Sequence, residues 1–269
     1  MSFICVNQGR VHFALGNYAE ASQLFYEGLE TCSQFSDQNG LAWCCSGLGS
    51  IARCQADYPE AERHFRHSLE TFRQTNSQRG FASALNQLGH LAHIRGDLRN
   101  AKQLLQDSLA IRREIGYRRG IAESLDHLGK LAVTIGQLPL AAEYLYKALQ
   151  TATEIRATAI AVRVLFSAAQ LFAASGQVEP AVELLTLVHE HSATEQETRQ
   201  QAQQLLADLE ARLPSQPMAQ LEVTSRMATI AAATPKILAE LAAGLAADRS
   251  LACTDPKKKR NRSNHRDQT

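Results

Sequence analysis

The sequence predicts an all-α fold in which five helical hairpins stack side by side, and three observations lead to it. The first is a period. The 40 residues FASALNQLGHLAHIRGDLRNAKQLLQDSLAIRREIGYRRG, Phe81 to Gly120, repeat on both sides without insertion, so blocks beginning at Met1, Leu41, Phe81, Ile121 and Ala161 align. The second is a set of columns. Small residues align at Gly9, Gly49, Gly89, Gly129 and Ala169, and again at Gly16, Ala56, Gly96, Gly136 and Gly176. Ala fills Ala21, Ala61, Ala101, Ala141 and Ala181, and large apolar residues fill Phe25, Phe65, Leu105, Leu145 and Leu185. The third is spacing within a block. Ala84, Leu85, Leu88, Leu91, Ala92 and Ile94 recur at threes and fours, which paints one face of a helix. After Gly96, the residues Ala101, Leu104, Leu105, Leu109 and Ile111 continue helical spacing to about Ile115. Neither stripe can be buried alone, so neighbouring blocks must cover each other.

In chain order, the units are 1–40, 41–80, 81–120, 121–160 and 161–200. The first starts abruptly, with Phe3, Val6 and Phe13 on a helix that has no cap and no covering neighbour. Solenoid ends normally carry polar caps. The start therefore suggests a fragment, a misplaced start or part of a longer protein, against the alternative of an unusual terminus. Second helices open on capping acceptors: Asn17 with Glu20, Asp57 with Glu60, and Asp97. Pro59, Pro139 and Pro180 fall in first turns, where a missing N–H costs little. Gly116 to Gly120 is expected to turn the chain back between hairpins. The ninth and twenty-first columns mark close approach of helix backbones.

Unit five is degenerate, with Ala168 and Ala169 for the Leu–Gly pair and His189 in a Leu column. Residues 193–213 form a polar helix whose stripe of Ala202, Leu205, Leu206, Leu209 and Leu213 suits a cap on that unit. Pro214 to Pro217 breaks the array. An Ala-rich helical extension follows at 214–250, with Thr234 and Pro235 opening a helix that carries Ile237, Leu238, Leu241 and Leu245. Residues 251–269 read as a disordered basic tail.

The order Leu, Gly, a small residue, then Ala and a large apolar residue, as in Leu48, Gly49, Ala56, Ala61 and Phe65, resembles the tetratricopeptide repeat. The usual unit is about 34 residues, and the extra length is expected at the end of the second helix and in the loop after it. Two further departures stand out. A column usually aromatic reads His12, Ala52, Ala92, Ala132 and Phe172, and the closing Pro is absent. Long units of this kind resemble those of bacterial signalling and transcriptional regulators, where they form sensor arms behind a nucleotide-switch or DNA-binding module. They also resemble those of kinesin light chains and related adaptors. The resemblance implies a right-handed superhelix whose first helices line a concave groove.

Lys plus Arg number 28 against 27 Asp plus Glu, a formal charge of +1, which argues against a surface built for nucleic acid over its length. The basic excess is local, at Lys257, Lys258, Lys259 and Arg260, a run similar to a nuclear localisation signal, able to make weak phosphate contacts or simply to solubilise. Six cysteines, Cys5, Cys32, Cys44, Cys45, Cys54 and Cys253, fall mostly at stripe positions without metal or redox spacing, and read as reduced cytoplasmic thiols. No leader and no apolar run of about 18 residues suggests a secretory signal or membrane span.

By resemblance, the groove positions are the third, sixth, tenth and thirteenth of each block. They are Trp43, Ser46, Ser50 and Arg53; Ser83, Asn86, His90 and His93; Glu123, Asp126, Lys130 and Val133; Arg163, Phe166, Gln170 and Ala173; with Phe3, Val6, Arg10 and Phe13 in the first unit. Such a surface suits an extended peptide or partner helix. His90 and His93, with Cys54 and His127 from adjacent units, raise a metal site that lacks a clear fourth ligand, so neither metal nor cofactor is expected. His64 and His67 are a similar pair on a second helix.

Gly-rich phosphate loops, His–Glu–x–x–His and Gly–x–Ser–x–Gly are all missing, and acid pairs such as Glu123 and Asp126 lie on an open surface, so no enzyme is expected. Two functions remain. One is a non-catalytic scaffold binding a peptide or protein segment in the groove. The other is the sensor arm of a longer signalling ATPase or transcriptional regulator. Self-association through the terminal helices is open to either.

Overall fold

The computed structural model describes residues 2–211 and 234–243. Leu213, most of the Ala-rich extension and the whole basic tail lie outside the described residues. Eleven helices span 2–211: α1 (Ser2–Ala14), α2 (Tyr18–Gln34), α3 (Gln38–Cys54), α4 (Tyr58–Gln74), α5 (Gln78–Ile94), α6 (Leu98–Glu114), α7 (Arg118–Thr134), α8 (Leu138–Glu154), α9 (Thr158–Ala174), α10 (Val178–Glu190) and α11 (Gln196–Glu210). Residues 234–243 are helical as well.

The period is finer than 40 residues. Backbone φ is positive at Gly16, Ser36, Ala56, Asn76, Gly96, Gly116, Gly136, Arg156 and Gly176, one residue in every twenty. At each, the following N–H reaches back to the carbonyl five residues earlier, as in Asp37 to Cys32, Tyr117 to Arg112 and Ala157 to Ala152, all within 2.9 Å. That pattern is the left-handed helix stop in which the last carbonyls of one helix are satisfied by the turn itself. One device thus makes both connections, within hairpins and between them. The expected turn over Gly116 to Gly120 is corrected: α7 starts at Arg118, and Gly120 is buried inside it. The extra unit length lies in the 17-residue helices, not in a loop.

Asp57 and Asp97 cap α4 and α6, accepting from the N–H groups of Glu60 and Asn100 at 3.2 Å, and Asp37 caps α3. Asn17 makes no such bond, contrary to expectation. Glu60 does not reach back either; it pairs with Arg63 and His64 one turn on.

Packing follows the columns. Phe25, Phe65, Leu105, Leu145 and Leu185 are at most 1% exposed, each contributing about 1.5–3 kcal/mol of burial. Opposite them stand the ninth-position glycines. A Cβ on Gly49 would lie 2.7 Å from the Phe65 ring and one on Gly89 2.8 Å from Leu105. A second size-matched pair joins consecutive hairpins. The thirty-second residue of one unit meets the fortieth, Phe72 with Gly80 and Arg112 with Gly120, while in the fourth unit the same two columns hold Ala152 and Ile160, sizes reversed and both buried. A Cβ on Gly80 would sit 2.5 Å from Phe72 Cγ.

Odd-numbered helices α1, α3, α5, α7 and α9 touch one another in sequence, whereas successive even-numbered helices meet mainly through them. The odd helices are therefore the inner layer of an all-α superhelix. α10 stops at Glu190 because His191 turns extended and the Thr194 hydroxyl donates to the Val188 carbonyl at 2.6 Å. α11 then packs on α10 and α9, burying Thr198, Ala202 and Leu209. Ile237 and Leu241 join the same core, with Lys236 held by Glu183 at 2.8 Å.

Candidate site on the inner helices

The sixth column does not face an open groove. Ser46, Asn86, Asp126 and Phe166 are 7%, 4%, 0% and 2% exposed, so the expected groove positions of this column are buried between helices. The cause is curvature. Inner helices run closer together than outer ones, so the sixth position points at the next inner helix and must be satisfied there.

It is satisfied by a polar seam. Gln87 donates to Ser50 at 3.2 Å, joining α3 and α5. Asn86 Nδ2 lies 3.0 Å from His127 Nδ1, and Ser124 donates to Asn86 Oδ1 at 3.2 Å, joining α5 and α7. His93 meets the Thr134 hydroxyl at 2.8 Å, and the His90 and His127 rings stack with centroids 4.4 Å apart. Asp126 accepts from Ser167 at 2.5 Å and Arg163 at 3.2 Å, joining α7 and α9, with Lys130 Nζ 3.5 Å away. Burial of Asp126 is affordable only because two cations and a hydroxyl surround it.

Residues the sequence reading missed are Gln87, Ser124, Thr134 and Ser167, and His127, singled out there as a metal ligand, is instead a hydrogen-bond partner of Asn86. A signal for two of them exists: the seventh column reads Gln87, His127 and Ser167, polar in the third, fourth and fifth units.

The third column is mixed. Trp43 turns from the groove into the core, edge-on to Phe72 with centroids 4.8 Å apart. Glu123 lies 3.5 Å from the buried Arg112, which also donates to the Gly120 carbonyl at 2.6 Å. Ser83 is half-buried, Arg163 holds Asp126, and Arg10 is exposed. The tenth and thirteenth columns keep the most accessible chemistry: His90, His93, Lys130 and Gln170 are half-buried, and Lys130 Nζ sits 5.7 Å over the Phe166 ring.

Arg53 is the exception in its column, buried because the start of α11 covers it. Its Nη1 and Nη2 grip both carboxylate oxygens of Glu197, at 2.6 and 2.9 Å, across 144 residues of sequence. The Cys54 thiol lies 3.4 Å from the same carboxylate. Glu195 stands 4.0 Å from Arg163. A Cβ on Gly16 would lie 2.6 Å from Gln196, so this turn also approaches the first hairpin.

Electrostatics follow this packing. Burial alone would push the Glu197 carboxyl up, but the hydrogen bonds and charge of Arg53 outweigh it and hold the group at about 2. Burial pushes the Cys54 thiol up to about 12. His90 and His127 titrate well below the ordinary value, first through burial, then through neighbouring charge: Arg53 and Lys130 beside His90, His90 and Lys130 beside His127. His93 is lowered by burial and Lys130. These rings are neutral bonding partners at pH 7.

His93 turns to Thr134 and Cys54 to Glu197, and among the described residues no three His, Cys, Asp or Glu side chains converge as metal ligands. No described helix is long and apolar enough to cross a membrane.

The tetratricopeptide-repeat family model matches residues 4–74 and 80–154, more than half of the chain. None of the curated proteins compared with the chain matches it. Among solved structures, BtubC (BKLC) from P. vanneervenii superposes with a TM-score of 0.55 at 16% identity, covering 83% of this chain and 90% of that one. At that identity the likeness is one of fold.

Proposed function

Because the chain belongs to the tetratricopeptide-repeat family, whose arrays generally mediate protein–protein interaction, we propose that it is a non-catalytic scaffold holding a peptide or protein segment along its inner helices. The observation behind this is the chemistry that stays accessible beside and along the seam. Ser83, His90, His93, Lys130, Arg163 and Gln170 keep partial exposure on one layer, a mixture of donors, cations and rings suited to side-chain capture of a peptide. Cys5, Cys44, Cys45 and Cys54 are free thiols, which fits a reducing, cytoplasmic setting. Site-specific photo-crosslinking tests the reading. A cross-linkable residue at Gln170 should capture a partner that the same residue at Gln103, exposed on the outer helix α6, does not. Equal capture from both positions removes the inner surface as the binding face.

A second reading, the sensor arm of a longer signalling protein, is favoured by α1. Ile4 and Val11 are 57% and 58% exposed. The same positions in later units, Cys44 and Ile51, Ala84 and Leu91, Ser124 and Leu131, are covered by the preceding hairpin to 5% or less. This face is built to receive another helical hairpin. Coding sequence upstream of Met1 tests it: an in-frame nucleotide-binding loop or helix-turn-helix supports the arm. If there is none, a Val11→Glu chain that loses self-association assigns the face to a second copy.

A further inference from the structure

We infer that the start of α11 is a resident occupant of the inner binding surface, and that the ligand is an acidic peptide whose carboxylates replace Glu197 on Arg53 and Glu195 on Arg163. The inference rests on the scaffold reading and names the chemistry of its ligand.

Four observations carry it. First, Arg53 is a built site: its side chain is 7% exposed, both terminal nitrogens lie on one carboxylate, and its Nε has no partner. A guanidinium so far from water requires a carboxylate, and the fork geometry selects one over a neutral amide. Second, the occupant belongs to a different part of the chain. α11 is anchored on α9 and α10 through Thr198, Ala202 and Leu209, and only its first turn reaches across to α3. Third, that reach is thin. Glu195 approaches Arg163 only at 4.0 Å and its side chain stays 34% exposed, so the outer half of the contact is open to exchange.

Fourth, the charges balance only with α11 in place. Arg53, Lys130 and Arg163 face Asp126, Glu195 and Glu197, while Glu123 is engaged by Arg112 and Arg119. Lifting residues 195–197 leaves three cations around one carboxylate. An acidic segment restores the balance; a neutral or basic one leaves Arg53 buried and unpaired.

The test uses the full chain and a fluorescein-labelled peptide, ATEQET, which reproduces residues 193–198. A chain carrying Glu195→Gln and Glu197→Gln, its helicity and melting checked by circular dichroism, should bind this peptide at least about tenfold more tightly than the unaltered chain. Replacing both peptide glutamates by Gln should abolish binding, and so should adding Arg53→Gln to the opened chain. A charge-swapped chain, Arg53→Glu with Glu197→Arg, restores the pair and should refuse the peptide. Equal binding by opened and unaltered chains, or equal binding of the Gln peptide, overturns the inference.

Should the opened chain fold poorly, hydrogen exchange on the unaltered chain decides. Amides 195–199 should exchange several-fold faster in excess ATEQET, and unchanged protection overturns the inference. A partner captured from Gln170 while the acidic peptide fails in every arm would leave the scaffold standing and remove the acidic ligand alone.

Discussion

The pair Phe72 and Gly80 offers a direct test of how consecutive hairpins are joined. Phe72 is fully buried between Trp43, Ala42 and Ala84, and a Cβ on Gly80 would fall 2.5 Å from its Cγ. Phe72→Ala therefore leaves a cavity and ends the Trp43 contact, at a cost of about 3–5 kcal/mol. Gly80→Ile drives a branched side chain into a ring that cannot move, at about 3 kcal/mol or more. Two units on, the same two columns hold Ala152 and Ile160, the small and large residues exchanged and both at most 1% exposed. The double variant Phe72→Ala with Gly80→Ile copies that solution. The isoleucine should occupy the space the ring vacates, and the double cost should fall about 2–3 kcal/mol short of the sum. The remaining loss belongs to Trp43, whose aromatic partner does not return. Urea unfolding followed by circular dichroism across the four chains measures this coupling. A double variant additive to within about 0.5 kcal/mol would refute the idea that these two columns are matched in size.

Acid should loosen the inner layer before it loosens the carboxylates. His90, His93 and His127 have folded pKa values below 6.5, so the unfolded chain takes up protons first and stability falls as pH drops from about 6.5. The contribution of Glu197, held at about 2 against an ordinary 4.5, is lost only between those values. Urea midpoints flat above pH 7 and declining below 6.5 are expected, with a shallower decline in His127→Gln; a midpoint flat to pH 5 would contradict this. Arg112 is a further buried charge, 1% exposed. Arg112→Ala strips the Gly120 carbonyl and Ser124 of a donor and leaves Glu123 facing the void, at about 3–5 kcal/mol. Arg112→Met fills the space and should cost at most about half as much, since Arg119 still serves Glu123; equal losses in the melts would show that charge, not volume, is what the position supplies.

The repeated hairpin, the small ninth column and the Ala column were legible because each is a local or one-unit relation: an apolar stripe, a glycine against its own hairpin's Phe or Leu. The twenty-residue turn was not. Ser36, Asn76 and Arg156 adopt the same left-handed turn as the glycines, so residue type hides a shared backbone geometry. Gly120 therefore reads in sequence as a loop residue, when it is a gap cut into α7 for the Tyr117 ring and the Arg112 side chain. The site was less legible still. Which side of an inner helix faces its neighbour depends on the superhelix curvature, and Asp126 or Asn86 on a helical wheel looks the same whether water or Arg163 and His127 satisfies it. The Arg53–Glu197 pair spans 144 residues, and no periodicity marks it.

The seam constrains how this surface binds. Every hydrogen bond between successive inner helices joins residues about one unit apart, so a ligand competing for Asn86 or Asp126 would have to unmake the array to be read. Recognition must therefore come from groups the seam does not consume, and Arg53 is set apart among them. Among the described residues its guanidinium donates to Glu197 and to the adjacent Cys54 but to no residue of the neighbouring inner helix, and a helix 144 residues away neutralises it. A position that repeat packing leaves unpaired, and that a distant helix then fills with a carboxylate, is where the superhelix itself makes no demand on the side chain. The polar seam fixes the spacing of the inner helices; Arg53, and the Nη1 end of Arg163 that the seam leaves over, choose what lies across them.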